Sequence, residues 1–309
     1  MPELPAGYAV RPATAGDLDA IVELFEAYDV WDFGRPDPGR EHLEADWVAP
    51  GFDPAADSWL VTEEGGGVVG FAYVQAMPTE AAREAFGRVH PHHHGRGIGG
   101  FLVRVTEGRA RTQPGIRPAR VRNFATATDP SAQALLEDHG YRRVRVFWHM
   151  ERTLRDERDP PPLDGIVLRP MRAGEERAVY EVMEESFAEH WGQPTPPFDE
   201  WRLFMDRPGF DPGMALLAVE REEIVGGVVS MTTSDAAWVM ELAVRPAWRG
   251  RGIGTALLSS ALADLSRRGV AEVRLNVDAG NATGATRLYE RAGMTVRRQW
   301  LAYEKPLGG

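Results

Sequence analysis

The stretch from Glu241 to Leu258, ELAVRPAWRGRGIGTALL, constrains the chain more than any other. Leu242, Ala243 and Val244 form an apolar run, Pro246 follows, and Gly250, Gly252 and Gly254 punctuate a turn before residues of helical pattern. The order is strand, glycine-rich turn, helix. Such a junction aims several backbone N–H groups, and the positive end of a helix dipole, at one point that suits an anion. Glycine is needed because a side chain would hold a phosphate away from the amides and because left-handed φ values disfavour other residues. Arg249 and Arg251 add positive charge, either to that anion or to plain surface.

Two familiar phosphate loops do not match. A nucleoside-triphosphate loop ends in Gly-Lys-Ser/Thr, and here Gly254 is followed directly by Thr255. The dinucleotide fingerprint is G-x-G-x-x-G, whereas Gly250, Gly252 and Gly254 read G-x-G-x-G. Arg249, Gly252 and Gly254, preceded by Val244-Arg245-Pro246, resemble the R-x-x-G-x-G signature of the GNAT N-acetyltransferase superfamily. Asn281 to Met294, NATGATRLYERAGM, resembles that family's second conserved segment, with Met294 in place of the usual aromatic residue. The resemblance implies that the turn holds the pyrophosphate of acetyl-coenzyme A.

Composition narrows the alternatives. Asp and Glu total 46 against 35 Lys and Arg, a net charge of −11, so the chain lacks the basic surface that nucleic acid requires. Lys305 is the only lysine. The absence of cysteine excludes a disulfide framework, a thiolate metal site and an acetyl-cysteine intermediate. The N-terminus has no basic region followed by an apolar core, and no apolar run reaches membrane-spanning length, so a cytoplasmic protein is expected.

At 309 residues two domains are expected, and the sequence repeats itself accordingly. Val10-Arg11-Pro12 with Asp17 is echoed by Leu168-Arg169-Pro170 with Glu175, and Gly70–Val74 by Gly226–Ser230. Gly95-Arg96-Gly97-Ile98-Gly99 matches Gly250–Gly254, and Ala132, Leu135 and Gly140 match Ala285, Leu288 and Gly293. Residues 155–165, charged and carrying Pro160, Pro161 and Pro162, read as a linker between an N-terminal copy (1–154) and a C-terminal copy (166–309). Helical spacing at Leu18, Ile21, Val22, Phe25 and Tyr28 recurs at Ala178, Val179, Val182 and Met183. Hairpins are expected over Trp59–Val74 and Ala215–Ser230, with a strand at Val273–Val277 and a final strand from Thr295 to Tyr303. The expected class is α/β to α+β: two tandem GNAT domains, each a mixed, mostly antiparallel sheet flanked by helices.

The resemblance also assigns roles. Leu242, Ala243 and Val244 would pair with the pantetheine arm and polarise the acetyl carbonyl, while Arg249, Gly250, Arg251, Gly252, Ile253, Gly254 and Thr255 would cradle the phosphates. Tyr289 would give its phenolic proton to the departing thiolate, and Asn281 would start a helix and touch the cofactor. Glu241 is either the base or anchor for the amine, or a solvent-facing carboxylate, because one step along a strand reverses the face. Asp278, Glu184 and Glu185 are reserves. The segment Glu185–Trp201, with His190, would shape an acceptor cleft or form a variable helix pair of the fold. In the first copy His94, Thr128 and Leu136 stand where Arg249, Asn281 and Tyr289 stand in the second. That copy is therefore expected to be degenerate, structural or binding coenzyme A without turnover, and His90, His92, His93 and His94 are not expected to bind metal. The implied reaction is direct acetyl transfer from acetyl-coenzyme A to a primary amine of a small molecule, without metal, nucleic acid or membrane. The alternative is an acyl-coenzyme A binding or sensing protein without catalysis.

Overall fold

A computed structural model describes residues 3–36, 40–47, 51–77, 81–113, 119–188, 191, 196–205, 209–281 and 283–308. The chain forms two compact units: residues 1–146 with 298–309, and residues 147–297. The first contains β1 (Tyr8–Arg11), α1 (Leu18–Phe33), α2 (Arg40–Trp47), α3 (Pro54–Asp57), β2 (Ser58–Glu63), β3 (Val68–Ala76), β4 (Ala82–Val89), α4 (Ile98–Thr112), β5 (Arg120–Thr126), α5 (Pro130–Asp138) and the start of β6 (Arg142–Thr153). The second contains the rest of β6, β7 (Val167–Pro170), α6 (Glu176–Phe187), α7 (Phe198–Met205), β8 (Ala215–Glu220), β9 (Glu223–Thr232), β10 (Ala237–Val244), α8 (Ile253–Arg267), β11 (Glu272–Asp278), α9 (Ala285–Arg291) and the start of β12 (Thr295–Pro306).

The repeated Arg-Pro signal is a structural device. Arg169 pairs with Glu175 at 2.6 Å, and the same carboxylate accepts the Arg172 N–H at 2.8 Å. Arg11 and Asp17 do the same in the first unit, where Asp17 also accepts the Thr14 N–H at 2.8 Å. Each pair fixes the turn between the first strand and first helix of its unit. The helices then lay apolar faces on the sheets: Val179, Val182 and Met183 of α6 are fully buried against Leu217 and Val229, and Ile21 and Leu24 of α1 against Leu60 and Phe71. On the opposite faces lie α4, with Ile98, Phe101 and Leu102, and α8, with Leu257, Leu258, Ala261 and Leu262. Gly269, at φ +82°, accommodates the left-handed exit of α8.

Within the first unit the strand order is β1-β2-β3-β4-β5-β12, and within the second β7-β8-β9-β10-β11-β6. Both are antiparallel except for one parallel pair each, β4 with β5 and β10 with β11. The closing strand of each unit is encoded in the other half of the sequence. Residues 147–153 of β6 pair with β11, from Asp278↔Phe147 to Glu272↔Thr153, and residues 300–306 of β12 pair with β5. The boundaries read from sequence give each copy its own last strand, since periodicity locates a strand but not the neighbour that takes its hydrogen bonds.

The first unit therefore depends on the last residues of the chain. Tyr303 is 1% exposed, Lys305 pairs with Glu107 at 2.8 Å, and Glu304 meets the buried Arg122 at 2.8 Å. Deleting residues 299–309 should strip hydrogen-exchange protection from the amides of 120–126, while those of 272–278 stay protected; mass spectrometry of the exchanged peptides measures both.

Candidate active site

The parallel pairs are short. β10 and β11 are registered only at Ala237↔Val273 and Trp238↔Arg274, and β4 and β5 only from Ala82↔Arg120 to Ala85↔Asn123. Beyond those points the strands part and leave a gap whose rim carries backbone groups of β10 or β4. The glycine-rich turn follows at once. Gly250 and Gly252 take φ of +78° and +80°, and Gly252 caps α8. Gly95 and Gly97 repeat this at +73° and +85° before α4. Gly254 serves a different purpose, since a Cβ there would lie 3.2 Å from Leu288.

The two turn arginines have protein partners. Arg249 Nε donates to the Val244 carbonyl at 3.1 Å and its Nη2 to the Ser186 carbonyl at 3.1 Å, tying the turn to the strand end. Arg251 pairs with Glu220 at 2.7 Å on the surface, and the Trp248 indole donates to the same carboxylate. His94 reproduces the first tie: its Nε2 lies 2.9 Å from the Val89 carbonyl. The histidine that departs from the signature thus keeps its structural bond. Ile253 is 1% exposed and can offer a ligand only its backbone, and Leu242 and Val244 pack on the α8-side core while Ala243 packs below α6.

Glu241 owes its position to a β-bulge. Val239 is registered with Ser230 and Glu241 with Val229, so Met240 is the extra residue. Regular pleating would put Glu241 on the α8 face. The bulge moves it to the α6–α7 face, with Val229 and Ala243, where the Trp201 indole Nε1 donates to both carboxylate oxygens at 3.2 Å. Burial pushes the Glu241 pKa up to about 7, and the Trp201 hydrogen bond opposes that rise only in part. A carboxyl group so placed changes protonation state near neutrality.

Tyr289 approaches from the other side of the sheet. It lies on α9 in the core beneath α8, 8% exposed, and burial raises its phenol to about 12. Asn281 does not start that helix, which is a correction to the sequence reading. Gly284 is the N-cap, at φ +82°, and the Asn281 side chain instead accepts from the Thr283 N–H at 2.7 Å in a local turn. The reserve carboxylates have partners of their own. Glu185 pairs with Arg245, Glu184 accepts from Tyr180 at 3.5 Å, and Asp278 accepts the Gly280 N–H at 2.8 Å. Much of the Glu185–Trp201 segment, His190 included, lies outside the described residues; Trp201 itself is 3% exposed and stacks near Tyr180 and Phe198.

Sequence reasoning missed three features. It named Trp201 only as the end of the cleft or helix-pair segment, not as the partner of Glu241 forty positions on. His149, 5% exposed, comes from the β6 segment: its Nδ1 is 3.0 Å from Asn276 Oδ1 and its ring is edge-on to Trp238 at 5.2 Å. The third is a cavity of about 290 Å³ in the first unit, lined by residues of the Gly95–Gly97 turn, Arg88 and Tyr28. Among the described residues no group of His, Asp and Glu is arranged to hold a metal ion, and no helix is long and apolar enough to cross a membrane.

Known proteins match this arrangement. Residues 177–294 match the acetyltransferase (GNAT) family and residues 55–143 the acetyltransferase (GNAT) domain. A mycothiol acetyltransferase of Thermobispora bispora is 31% identical over 294 residues, 91% of this chain and 94% of that protein. One from Salinispora arenicola is 33% identical, covering 94% of this chain and 88% of the other. A GCN5-related N-acetyltransferase from Sphaerobacter thermophilus, known by crystal structure, superposes with a TM-score of 0.89 at 35% identity over 99% of this chain and 98% of that one. A tandem GNAT protein from the clavulanic acid biosynthesis pathway shares the fold, with a TM-score of 0.75 at 19% identity over 98% of this chain and 99% of that one. The chain belongs to the GNAT acetyltransferase family as a tandem-domain N-acetyltransferase, an enzyme that moves an acetyl group to an amine.

Proposed function

We propose that the second unit performs the reaction, taking acetyl from acetyl-coenzyme A and passing it directly to the primary amine of a small molecule in the cytoplasm. The observation that carries this reading is Glu241, a carboxyl group on the bulged strand beside the gap, raised to about 7 and held by Trp201. The turn fits a pyrophosphate: the space beside Gly250 is open, since a Cβ there would meet nothing within 4 Å, and α8 adds its dipole. Residues 250–255 hold the phosphates in this reading, and the free edge of β10 over Leu242–Val244 takes the pantetheine arm. The relatives named for mycothiol, a small molecule, support an acceptor of that size.

The chemistry follows from the two faces of the gap. On the α6–α7 side Glu241, held by the Trp201 indole, accepts a proton directly or through water from the ammonium form of the acceptor. The neutral amine attacks the thioester carbonyl, the C–S bond breaks as the C–N bond forms, and the proton that the nitrogen sheds in becoming an amide replaces, through water, the one given to the leaving thiolate. On the α8–α9 side Tyr289 remains protonated at neutral pH and supplies the proton that the thiolate takes up. The burial that raises the phenol also raises the proton affinity of a thiolate formed beside it, so the transfer is not blocked by the phenol's high value.

Two variants test the assignment. Tyr289→Phe should lower kcat by about 10²–10⁴ and leave acetyl-coenzyme A affinity within about twofold, read by thiol release and calorimetry. Glu241→Gln should remove the acidic limb of the kcat/KM profile, which in the unaltered enzyme falls as pH drops through about 7 because the base becomes protonated. Because the Trp201 hydrogen bond favours the charged carboxylate, Trp201→Phe should move that limb to higher pH; an unmoved or acid-shifted limb would count against Glu241 as the base.

A further inference from the structure

The register that aligns the two parallel pairs also aligns their chemistry. Phe86 is registered with Tyr73 and Arg88 with Phe71 in the first unit, as Glu241 is with Val229 and Ala243 with Gly227 in the second. The first unit therefore has phenylalanine in place of Glu241 and, by the sequence repeat, Leu136 in place of Tyr289. At those two positions it has neither base nor acid. Where the second unit has the small Ala243, it has Arg88 at the parted end of β4.

Arg88 is half-buried below α1. Its guanidinium carbon lies 4.6 Å from the ring centre of Tyr28, 5.0 Å from Trp300 and 5.9 Å from Phe25. Nη1 donates to the neighbouring Gly87 carbonyl at 2.8 Å, and among the described residues no carboxylate pairs with it. By contrast Arg122, Arg274 and Arg298, all more buried, each pair with a carboxylate. Aromatic rings hold the plane of a guanidinium while leaving edge N–H groups for a planar anion. Arg88 lines the cavity of about 290 Å³ together with Gly95 and Gly97 of the turn. Asp129 lines it too, but its carboxylate already accepts from Tyr28 at 2.8 Å, Ser131 at 2.6 Å and the Ala132 N–H at 2.9 Å.

We propose that the first unit binds, without turnover, an acyl thioester whose acyl group ends in a carboxylate, with Arg88 as the residue that recognises the carboxylate. The turn receives the phosphate end and Arg88 the acyl end, and the cavity between them accommodates the thioester. The thioester part rests on the family assignment, whereas the carboxylate part rests on Arg88. A bare acetyl group would leave the guanidinium without its anion, so the site distinguishes a dicarboxylic acyl group from acetyl.

Calorimetric titration of succinyl-coenzyme A, acetyl-coenzyme A and free succinate into the full chain and into Arg88→Gln provides the test. Succinyl-coenzyme A should bind the unaltered chain at a site whose affinity falls by at least about tenfold in Arg88→Gln, while acetyl-coenzyme A affinity changes by less than about twofold. Hydrogen-exchange protection of residues 82–89 in Arg88→Gln, equal to that in the unaltered chain, shows that the first unit is folded. Arg88→Lys, which keeps the charge but loses the planar fork, should recover part of the difference. Equal losses for both thioesters, or none for either, would overturn the proposal. Free succinate binding as tightly as the thioester, with the same dependence on Arg88, would overturn its thioester half.

Discussion

Everything at the two sites depends on where a parallel strand pair stops being a pair. β10 leaves β11 after Trp238 and β4 leaves β5 after Ala85, and the backbone edges so released have no strand to satisfy them. In a buried sheet that arrangement costs hydrogen bonds unless something else supplies them. An extended ligand arm can do so, and the turn that follows each strand puts amides and a helix dipole at the end of the same path. Arg249 and His94, different in charge and shape, are both used to lock that turn onto the last carbonyl of its strand. The feature common to both units is thus the gap and its turn, and the chemistry is added by the side chains around it.

Those side chains have diverged. In the second unit a single extra residue, Met240, rotates Glu241 onto the face where Trp201 waits, and burial there brings the carboxylate to the range where it can exchange a proton with an amine. The first unit has no such bulge in β4; Phe86 stacks on Tyr73 and Phe124, and Arg88 sits among aromatic rings. We propose that one unit moves protons and the other holds charge.

Much of this was legible in the sequence because it is local. The helical spacing in Leu18–Tyr28, the alternation through Val273–Val277 and the glycines of both turns each depend on neighbours a few residues away, and each appears where expected. The repeat was visible for the same reason. What could not be read depends on pairing between distant strands. The bulge at Met240 exists only relative to Ser230 and Val229, and the Trp201 to Glu241 contact joins residues with no shared motif. The division of β6 and β12 between units reflects which edge accepts a strand. Asn281 was misplaced at the helix start because Gly284, with its left-handed φ, is a cap that sequence preference ranks below asparagine.

We propose that the second turn serves the working site. The most direct test is acetyl-coenzyme A-dependent thiol release by the full chain carrying Gly252→Glu, compared with Gly97→Glu, each placing a carboxylate at a residue of positive φ in one turn. Release should be abolished by Gly252→Glu and persist in Gly97→Glu. Release that survives Gly252→Glu and vanishes with Gly97→Glu would contradict it and move the reaction to the first unit.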